Sequence, residues 1–260
     1  MEQAENITDL SNRTAVVIGG TSGLGRVIAV ALARSGANVV AAGRREEMVE
    51  RVCSEIESVG RQTLRRTVDI LTRESIDALR DAVTDKFGGV DILVNSAGRT
   101  ARKPTAAVTE IEWTEILDTN LTGTLRACQS FYKPLKLTGR GKVINIASLA
   151  SFVAFHEVAA YGASKAGVLA LTRSLGSEWA KDGINVNALI PGVFPTGLNT
   201  ELLKGTERGR EILMRTPMKR FGKPEELAGA AVFLASHAAS FITGQTIAVD
   251  GGYLASGVNS

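Results

Sequence analysis

A tyrosine and a lysine stand four positions apart in the segment YGASK, at Tyr161 and Lys165. The sequence that follows has helical periodicity, so both side chains lie on one face and can reach a common ligand. An ammonium about 4 Å from a phenol, at an effective dielectric of about 20, stabilises the phenolate by about 4 kcal/mol, or up to about three pKa units. The pair therefore predicts a tyrosine that exchanges protons near neutral pH, although Y-x-x-x-K by itself also occurs by chance on ordinary helices.

Two other polar residues are candidates for the same site. Ser148 ends the apolar run VINIAS, where a hydroxyl at the carboxyl edge of a sheet would face the same crevice. Asn120 interrupts an amphipathic helix in ILDTNLTG with a residue type that hydrogen-bonds backbone, which favours a buried polar role. Each has an ordinary alternative, since serine often caps a helix or lies in a turn and asparagine can be a simple helix irregularity.

Seven short apolar runs, alternating with longer amphipathic segments, would position these side chains. The runs are TAVVIGG at 14, NVVAAG at 38, QTLRRTVDI at 62, VDILVNSAG at 90, GKVINIAS at 141, INVNALIPG at 184 and GQTIAVDGG at 244. Strand, helix and strand in repeated order predict a doubly wound α/β fold with a seven-stranded, mostly parallel sheet and helices on both faces. No Pro/Ser-rich linker divides the chain, so we expect one domain over 1–260, with 1–10 as an N-terminal extension.

The turn after the first predicted strand has the composition of a phosphate cradle. In GGTSGLG, three glycines follow the spacing G-x-x-x-G-x-G, between a strand and an amphipathic helix. Without side chains they let the backbone turn tightly and bring helix N–H groups to a pyrophosphate. The predicted contacts are Gly19, Thr21, Ser22, Gly23, Leu24 and Gly25. With a nicotinamide dinucleotide in this cradle, Tyr161 would exchange a proton with an alcohol or ketone while hydride moves to or from the nicotinamide.

The end of the second strand bears on which dinucleotide binds. A carboxylate there hydrogen-bonds a ribose 2′-hydroxyl, whereas arginine can pair with a 2′-phosphate. The chain has Gly43 at the acidic position, followed by Arg44 and Arg45, which favours NADP over NAD; the alternative is a solvated charged loop. Asp69, followed by Ile70, either accepts a hydrogen bond from the adenine amino group or caps the helix that begins near Thr72.

Composition excludes several other classes of protein. The 260 residues are 44% hydrophobic and 22% charged, with a net charge of +3 from scattered basic residues, which does not favour nucleic-acid binding. The first 13 residues contain acidic side chains and no apolar run, so we expect a cytoplasmic protein without a membrane segment. Cys53, Cys128, His156 and His237 form no metal-ligand spacing, so no metal is predicted, and His156 either lines the substrate pocket or lies at the surface.

Six spaced motifs, in order, resemble the short-chain dehydrogenase/reductase family from about residue 10 to the C-terminus. They are GGTSGLG, NSAG at 95–98, Asn120, Ser148, YGASK and PGVFPT at 191–196. The resemblance implies a Rossmann-type sheet, a homotetramer and a catalytic tetrad. In the tetrad, Tyr161 is the acid/base and Lys165 lowers its pKa while binding the nicotinamide ribose. Ser148 orients the substrate oxygen, and Asn120 holds a water in the proton relay.

The same resemblance assigns the rest of the cofactor site. It implies that Asn95, Ala97 and Gly98 flank the adenosine end, and that the stretch Pro191, Gly192, Val193 and Thr196 holds the carboxamide through Val193 backbone and the Thr196 hydroxyl. Three positions depart from the usual pattern. Ile18 replaces a threonine that braces the turn, Ser96 replaces asparagine, and Ser22 stands where NADP-preferring members often carry a basic residue.

Substrate choice is expected to lie in residues 193–222, which the resemblance implies are a lid. Its leucines and methionines alternate with Lys204, Arg208 and Arg210, so it can cover an apolar chain or attract an anion. The segments PGVFPTGLN and RTPMKRFGKPEELAGAAVFLAS resemble gluconate 5-dehydrogenase-like members, which implies a sugar acid and its keto form as substrate and product. A 3-oxoacyl-thioester reductase is the alternative enzyme, in which the basic residues of the loop at 99–103 would dock an acidic carrier. A hypothesis of a different class is a non-catalytic NADP-binding sensor or scaffold.

Overall fold

The computed structural model describes residues 7–195, 203 and 205–258. Within them six parallel strands form one sheet in the order β2-β1-β3-β4-β5-β6. The strands are β1 Thr14–Ile18, β2 Asn38–Ala42, β3 Ile92–Asn95, β4 Gly141–Ile146, β5 Ile184–Pro191 and β6 Thr246–Val249. The predicted doubly wound α/β architecture of Rossmann type is confirmed, with six strands in the described residues rather than seven.

The predicted strand at 62–70 runs beside β2 without forming a regular strand. The N–H of Val39 donates to the Gln62 carbonyl at 3.0 Å, and the N–H of Val68 donates to the Gly43 carbonyl at 3.0 Å. Between these two contacts only one isolated bridge forms, from Gly43 to Thr67. The segment lies at the outer edge of the sheet, where pairing on one side alone imposes less regularity than a central position does.

The helices cover both faces of the sheet, as the alternation of apolar residues requires. They are α1 Gly23–Arg34, α2 Glu46–Ser58, α3 Arg73–Phe87, α4 Glu110–Leu117, α5 Gly123–Thr138, α6 Ala159–Glu178, α7 Glu207–Arg215 and α8 Pro224–Ala235. Val17 of β1 packs in a core with residues of α1, α2 and α8, whereas its neighbours Val16 and Ile18 pack in a second core with residues of α3, α5 and α6. Successive side chains of one strand therefore enter opposite cores.

No helix in the described ranges is long and apolar enough to cross a membrane.

Candidate active site

The glycine turn, Arg44 and Ser148 follow the carboxyl ends of strands, which meet at one edge of the sheet because every pairing is parallel. The turn after β1 shows why glycine is needed there. Gly19 has φ +81° and Gly23 has φ +52°, in the region that glycine adopts readily. A Cβ on Gly19 would collide with the backbone of Ala97, and one on Gly25 would collide with the Gly19 carbonyl oxygen. The turn therefore forms a close-packed cradle at the start of α1.

The start of α1 has the features of an anion site. Ser22 is the N-cap residue, yet its side chain makes no capping hydrogen bond. The N–H groups of the first helical turn have no partner within the helix, and such groups bind phosphate well. Thr21 and Gly25 are buried beside this turn, and Leu24 is partly buried against the core. The residues at the glycine turn therefore fit a dinucleotide pyrophosphate.

The end of β2 places two arginines at the surface near this cradle. Gly43 is buried, while Arg44 and Arg45 are exposed at the start of α2. Asp69 does not cap α3, because its Oδ1 accepts from the N–H of Leu71 at 3.0 Å, before the N-cap residue Thr72. The Asp69 carboxylate thus organises a local turn, and of the two alternatives that the sequence left open, the cap of α3 does not form. Ile70 is buried and packs against Gly123.

Asn95 has a buried partner on the neighbouring strand. It is 3% exposed, and its Nδ2 donates to Oδ1 of Asn145 at 2.9 Å and to Sγ of Cys128 at 3.3 Å. This side chain fixes the end of β3, and the chain then passes the glycine turn, where the N–H of Ser96 donates to the Ile18 carbonyl at 2.9 Å. Ala97 lies against Gly19 there. Asn95 therefore acts on this site by holding the 96–98 backbone.

Tyr161, Ser148 and Lys165 meet beyond the end of β4. The Ser148 hydroxyl lies close enough to the Tyr161 phenol to affect its pKa. Lys165, 4% exposed, donates from Nζ to the Ile146 carbonyl at 2.7 Å and lies 5.9 Å from the Tyr161 ring centroid. A Cβ on Gly98 would lie 3.5 Å from Lys165 Nζ, so the end of the 96–98 loop borders the same space.

Burial is the main cause of the pKa shifts of Tyr161 and Lys165. It raises the pKa of Tyr161 above its usual value, and the Ser148 hydroxyl offsets part of that rise. Burial also lowers the pKa of Lys165 to about 8. The sequence led us to expect a Tyr161 pKa near neutrality, and this expectation is wrong for the protein alone. The loss of water around the phenol outweighs the attraction of an ammonium whose Nζ is bonded to a carbonyl.

Asn120 lies between α4 and α5 in a π-helical turn, Asp118–Thr122, which aims its side chain inward. It is fully buried, and its Oδ1 accepts from the N–H of Arg99 at 2.8 Å. Its Nδ2 donates to the Arg99 carbonyl and to the Ser164 hydroxyl, both at 2.9 Å. The Ser164 hydroxyl in turn donates to the Tyr161 carbonyl at 2.8 Å.

Ser164 is a site residue that the sequence reasoning missed. It is fully buried and connects the Asn120 amide to the backbone of the turn that carries Tyr161. Its signal in the sequence is its position three residues after Tyr161, which places both on one helix face.

The stretch after β5 forms one wall of a cavity of about 320 Å³ that also includes the end of β6. Gly192 packs against Asp250, and the Val193 carbonyl accepts from the N–H of Gly222 at 3.0 Å. Pro191 is the last residue of β5, and Thr196 lies outside the described residues. In the predicted lid, Leu203 and Ile212 are buried in a third core, so this part of the segment is packed onto the domain.

Each basic side chain of the loop at 99–103 has an acidic partner. Arg99 pairs with Glu115 at 2.9 Å, Arg102 with Glu157 at 2.8 Å and Lys103 with Glu112 at 2.8 Å. Glu157 also accepts from the N–H of Lys103 through its carbonyl at 2.8 Å, so the loop is fastened to the segment before Tyr161. His156 beside it has an exposed side chain.

Comparison with known proteins agrees with this geometry. A family model described as enoyl-(acyl carrier protein) reductase matches residues 19–254. The 2-dehydro-3-deoxy-D-gluconate 5-dehydrogenase of Escherichia coli K12 is 40% identical over 95% of the chain and 97% of its own length. A solved structure from Beutenbergia cavernae with NADP bound at low occupancy is 43% identical, with a TM-score of 0.91 over 96% of this chain and 100% of that one. The gluconate 5-dehydrogenase of Burkholderia cenocepacia, solved with NADP and tartrate, is 35% identical, with a TM-score of 0.92 over 98% and 100%.

The matches extend through the glycine turn, the 96–98 loop and the Tyr161 helix, which are the parts of the fold that build the site. They agree with the resemblance found in the sequence. The chain belongs to the short-chain dehydrogenase/reductase family, and it is an oxidoreductase.

Proposed function

We propose that the protein is an NADP-preferring dehydrogenase/reductase that interconverts a secondary alcohol and a ketone, with a sugar acid such as gluconate and its 5-keto form as the substrate pair. The observation that carries this proposal is the meeting of Tyr161, Ser148 and Lys165 beside Gly98 at the carboxyl edge of the sheet. A buried acid/base next to a close-packed nucleotide cradle is the arrangement that hydride transfer with proton exchange requires.

Each residue of the tetrad has a proposed role in this reaction. Tyr161 gives a proton to the ketone oxygen in reduction and takes it back in oxidation. Ser148 places a hydroxyl beside the Tyr161 phenol, where it can orient the substrate oxygen. NADP, when bound, supplies or accepts the hydride. Lys165 holds the nicotinamide ribose and places positive charge beside the phenol.

Asn120 has limited capacity for the proposed relay water. Both hydrogens of its amide are used, one by Arg99 and one by Ser164. Its side-chain Oδ1 accepts from the N–H of Arg99 at 2.8 Å and has a second lone pair. A relay water would therefore donate to Oδ1 of Asn120 and accept its own hydrogen bond from another group.

The cofactor proposal rests on the end of β2. Gly43 presents no carboxylate to a ribose hydroxyl, and Arg44 and Arg45 are exposed beside the cradle. The structural relatives that contain NADP support this choice. We propose contacts from the cradle residues 19 and 21–25, from Asp69 and Ile70 near the adenine, from Ala97 and Gly98 along the ribose, and from Pro191, Gly192, Val193 and Thr196 at the carboxamide.

The thioester-reductase alternative finds less support around the site. It needs basic residues that are available to an acidic carrier, whereas Arg99, Arg102 and Lys103 are each paired with a glutamate of the chain. The named relative from Escherichia coli acts on a sugar acid derivative, which favours the sugar-acid proposal. A sensor or scaffold without turnover would not need a buried tyrosine beside a serine hydroxyl and a buried lysine.

An assay of NADPH oxidation with 5-ketogluconate beside an acetoacetyl thioester, and with NADH as the paired control, tests the function. We expect turnover of the keto acid with NADPH and slower rates with NADH. Preference for the thioester would overturn the substrate class. No turnover of either, or of a wider ketone panel, while NADPH still binds, would favour the sensor or scaffold.

Replacement of Arg44 by Ala should weaken NADPH binding about tenfold to 100-fold. A charge-assisted hydrogen bond contributes about 1.5–3 kcal/mol, and each 1.4 kcal/mol is a factor of ten in Kd. NADH lacks the 2′-phosphate, so its Kd should change little. Both values can be measured by titration of cofactor fluorescence. Equal losses for the two cofactors would contradict the assignment of Arg44 to the phosphate.

We propose that residues 1–260 form one catalytic domain, with an N-terminal extension at 1–10 and a substrate lid at 193–222. We also propose a cytoplasmic homotetramer, on the basis of the family resemblance.

A further inference from the structure

An NAD-binding protein of this fold would carry a carboxylate at position 43. In this chain, a side chain of the glycine turn occupies the space that a side chain at position 43 would need. A Cβ added to Gly43 would lie 2.6 Å from Oγ1 of Thr21 and 3.1 Å from its Cγ2. Real side chains do not approach so closely without displacement of one of the two residues. The absence of a carboxylate at position 43 is therefore coupled to the presence of Thr21.

The backbone around Gly43 is restrained on both sides. On the inner side, the Ala42 carbonyl accepts from the N–H groups of Gly19 at 2.9 Å and Gly20 at 3.2 Å, which ties the end of β2 to the glycine turn. On the outer side, the Gly43 carbonyl accepts from the N–H of Val68 at 3.0 Å. Gly43 cannot move away from Thr21 without loss of one of these hydrogen bonds.

Thr21 also has little freedom to turn aside. It is 5% exposed, so its branched side chain is enclosed by the turn and by the end of β2. A β-branched side chain has two heavy atoms on Cβ, which restricts its rotation about χ1 in an enclosed position. Both of these atoms already lie within 3.1 Å of the hypothetical Cβ.

We propose that Thr21 is a specificity-determining residue that excludes a side chain, and with it a ribose-binding carboxylate, from position 43. This inference rests on the proposed NADP preference, and it names Thr21 as a residue of the chain that contributes to that preference. Arg44 would attract the 2′-phosphate, and Thr21 would prevent the competing adaptation to NAD. Conversion to NAD use then requires two changes, a carboxylate at 43 and a smaller residue at 21.

The steric part is tested without any cofactor, by thermal unfolding of a set of variants at position 43. Gly43→Ala in the natural background should lower Tm by about 3–8 °C, the range expected for overpacking in a chain of this size. With Thr21→Ala, the same change at 43 should cost nothing measurable. Thr21→Val is the matched control, because valine keeps both branches and should preserve the penalty. An equal effect of Gly43→Ala in the threonine and alanine backgrounds would overturn the proposal.

The specificity part is tested by the Kd values of NADPH and NADH for Gly43→Asp, with and without Thr21→Ala. We expect Gly43→Asp alone to lose NADPH affinity without improved NADH affinity. The double variant should bind NADH about tenfold more tightly than Gly43→Asp does, whereas Gly43→Asp with Thr21→Val should not. An NADH gain in Gly43→Asp alone that equals the gain of the double variant would refute the role of Thr21.

The proposed NADP preference and the proposed steric contact of Thr21 with position 43 can be refuted independently. A natural protein that binds NADH as tightly as NADPH would refute the proposed cofactor preference, while the Tm difference between backgrounds would still decide the steric contact. If Gly43→Asp does not fold, the Gly43→Ala series decides the proposal by itself.

Discussion

Replacement of Tyr161 by Phe should lower kcat by about 10²–10⁴-fold, the usual contribution of a positioned general acid or base. Phenylalanine keeps the ring and removes only the hydroxyl that lies beside Ser148. Tyr161 is the only tyrosine of α6. The Kd of NADPH should change little, because the cradle and the Lys165 ammonium remain.

Tyr132→Phe is the matched control for this experiment. Tyr132 lies on α5, and its hydroxyl donates to Asp182 at 2.6 Å, apart from the tetrad. Its replacement also removes a tyrosine hydroxyl. The kcat should stay within about twofold of the natural value, which corresponds to a change of less than about 0.5 kcal/mol in activation free energy. Substantial residual turnover in Tyr161→Phe would mean that another group transfers the proton, and the proposed mechanism would have to be abandoned.

Replacement of Lys165 by Met should lower kcat/KM by about 100-fold or more. The change removes the proposed charge-assisted hydrogen bonds to the ribose and the positive charge beside Tyr161, together worth about 3 kcal/mol. Methionine is of similar length and fits the buried channel that the lysine stem occupies. Steady-state rates and NADPH titration together separate loss of cofactor binding from loss of chemistry.

The same variant should show a change in the pH dependence of stability. The Lys165 pKa is about 8 in the folded protein, below the ordinary value of 10.5. Between these values the unfolded chain holds a proton that the folded chain has lost, so this group makes the unfolding free energy rise with pH. Its contribution is roughly 3 kcal/mol at about 1.36 kcal/mol per pKa unit. Lys165→Met should lack this rise between about pH 8 and pH 10.5, as measured by denaturant unfolding.

Lys142→Met separates the stability effect from the catalytic one. Lys142 is also buried, with a pKa lowered to about 8, and its Nζ donates to Asn185 at 2.6 Å near the start of β4, at the opposite edge of the sheet. Its replacement should flatten the pH dependence in the same direction and leave kcat unchanged. If Lys165→Met and the natural protein show the same slope, the ammonium of Lys165 is not buried as described.

Local sequence was sufficient for the elements that depend on short-range pattern. The glycine turn, the strand before it and α1 after it are encoded within about 20 consecutive residues, where positive φ and the alternation of apolar side chains leave few options. Tyr161 and Lys165 lie on one face because a helix repeats every 3.6 residues. The order of strands and helices also predicted that the ends carrying Ser148 and the glycine turn share one edge.

The features that the sequence misjudged depend on distant neighbours. The segment at 62–70 reads as a strand, yet its place at the edge of the sheet leaves it with one isolated bridge. For Asn120 the sequence favoured a buried polar role but could not identify its partners, Arg99 and Ser164, which lie 21 and 44 positions away and which the π-helical turn brings to it. Its role in fastening Tyr161 arises from those contacts alone.

The sign of the Tyr161 pKa shift was decided by the tertiary structure. Spacing on a helix gives the distance between a phenol and an ammonium, but only the surrounding fold fixes how much water is removed from each. The contact of Thr21 with Gly43 has the same origin, because it forms between the end of one strand and the turn after another. The sequence by itself thus determined which groups are available for chemistry and on which edge they lie. The packing of distant segments decided their solvation, their hydrogen-bond partners and the space left around them.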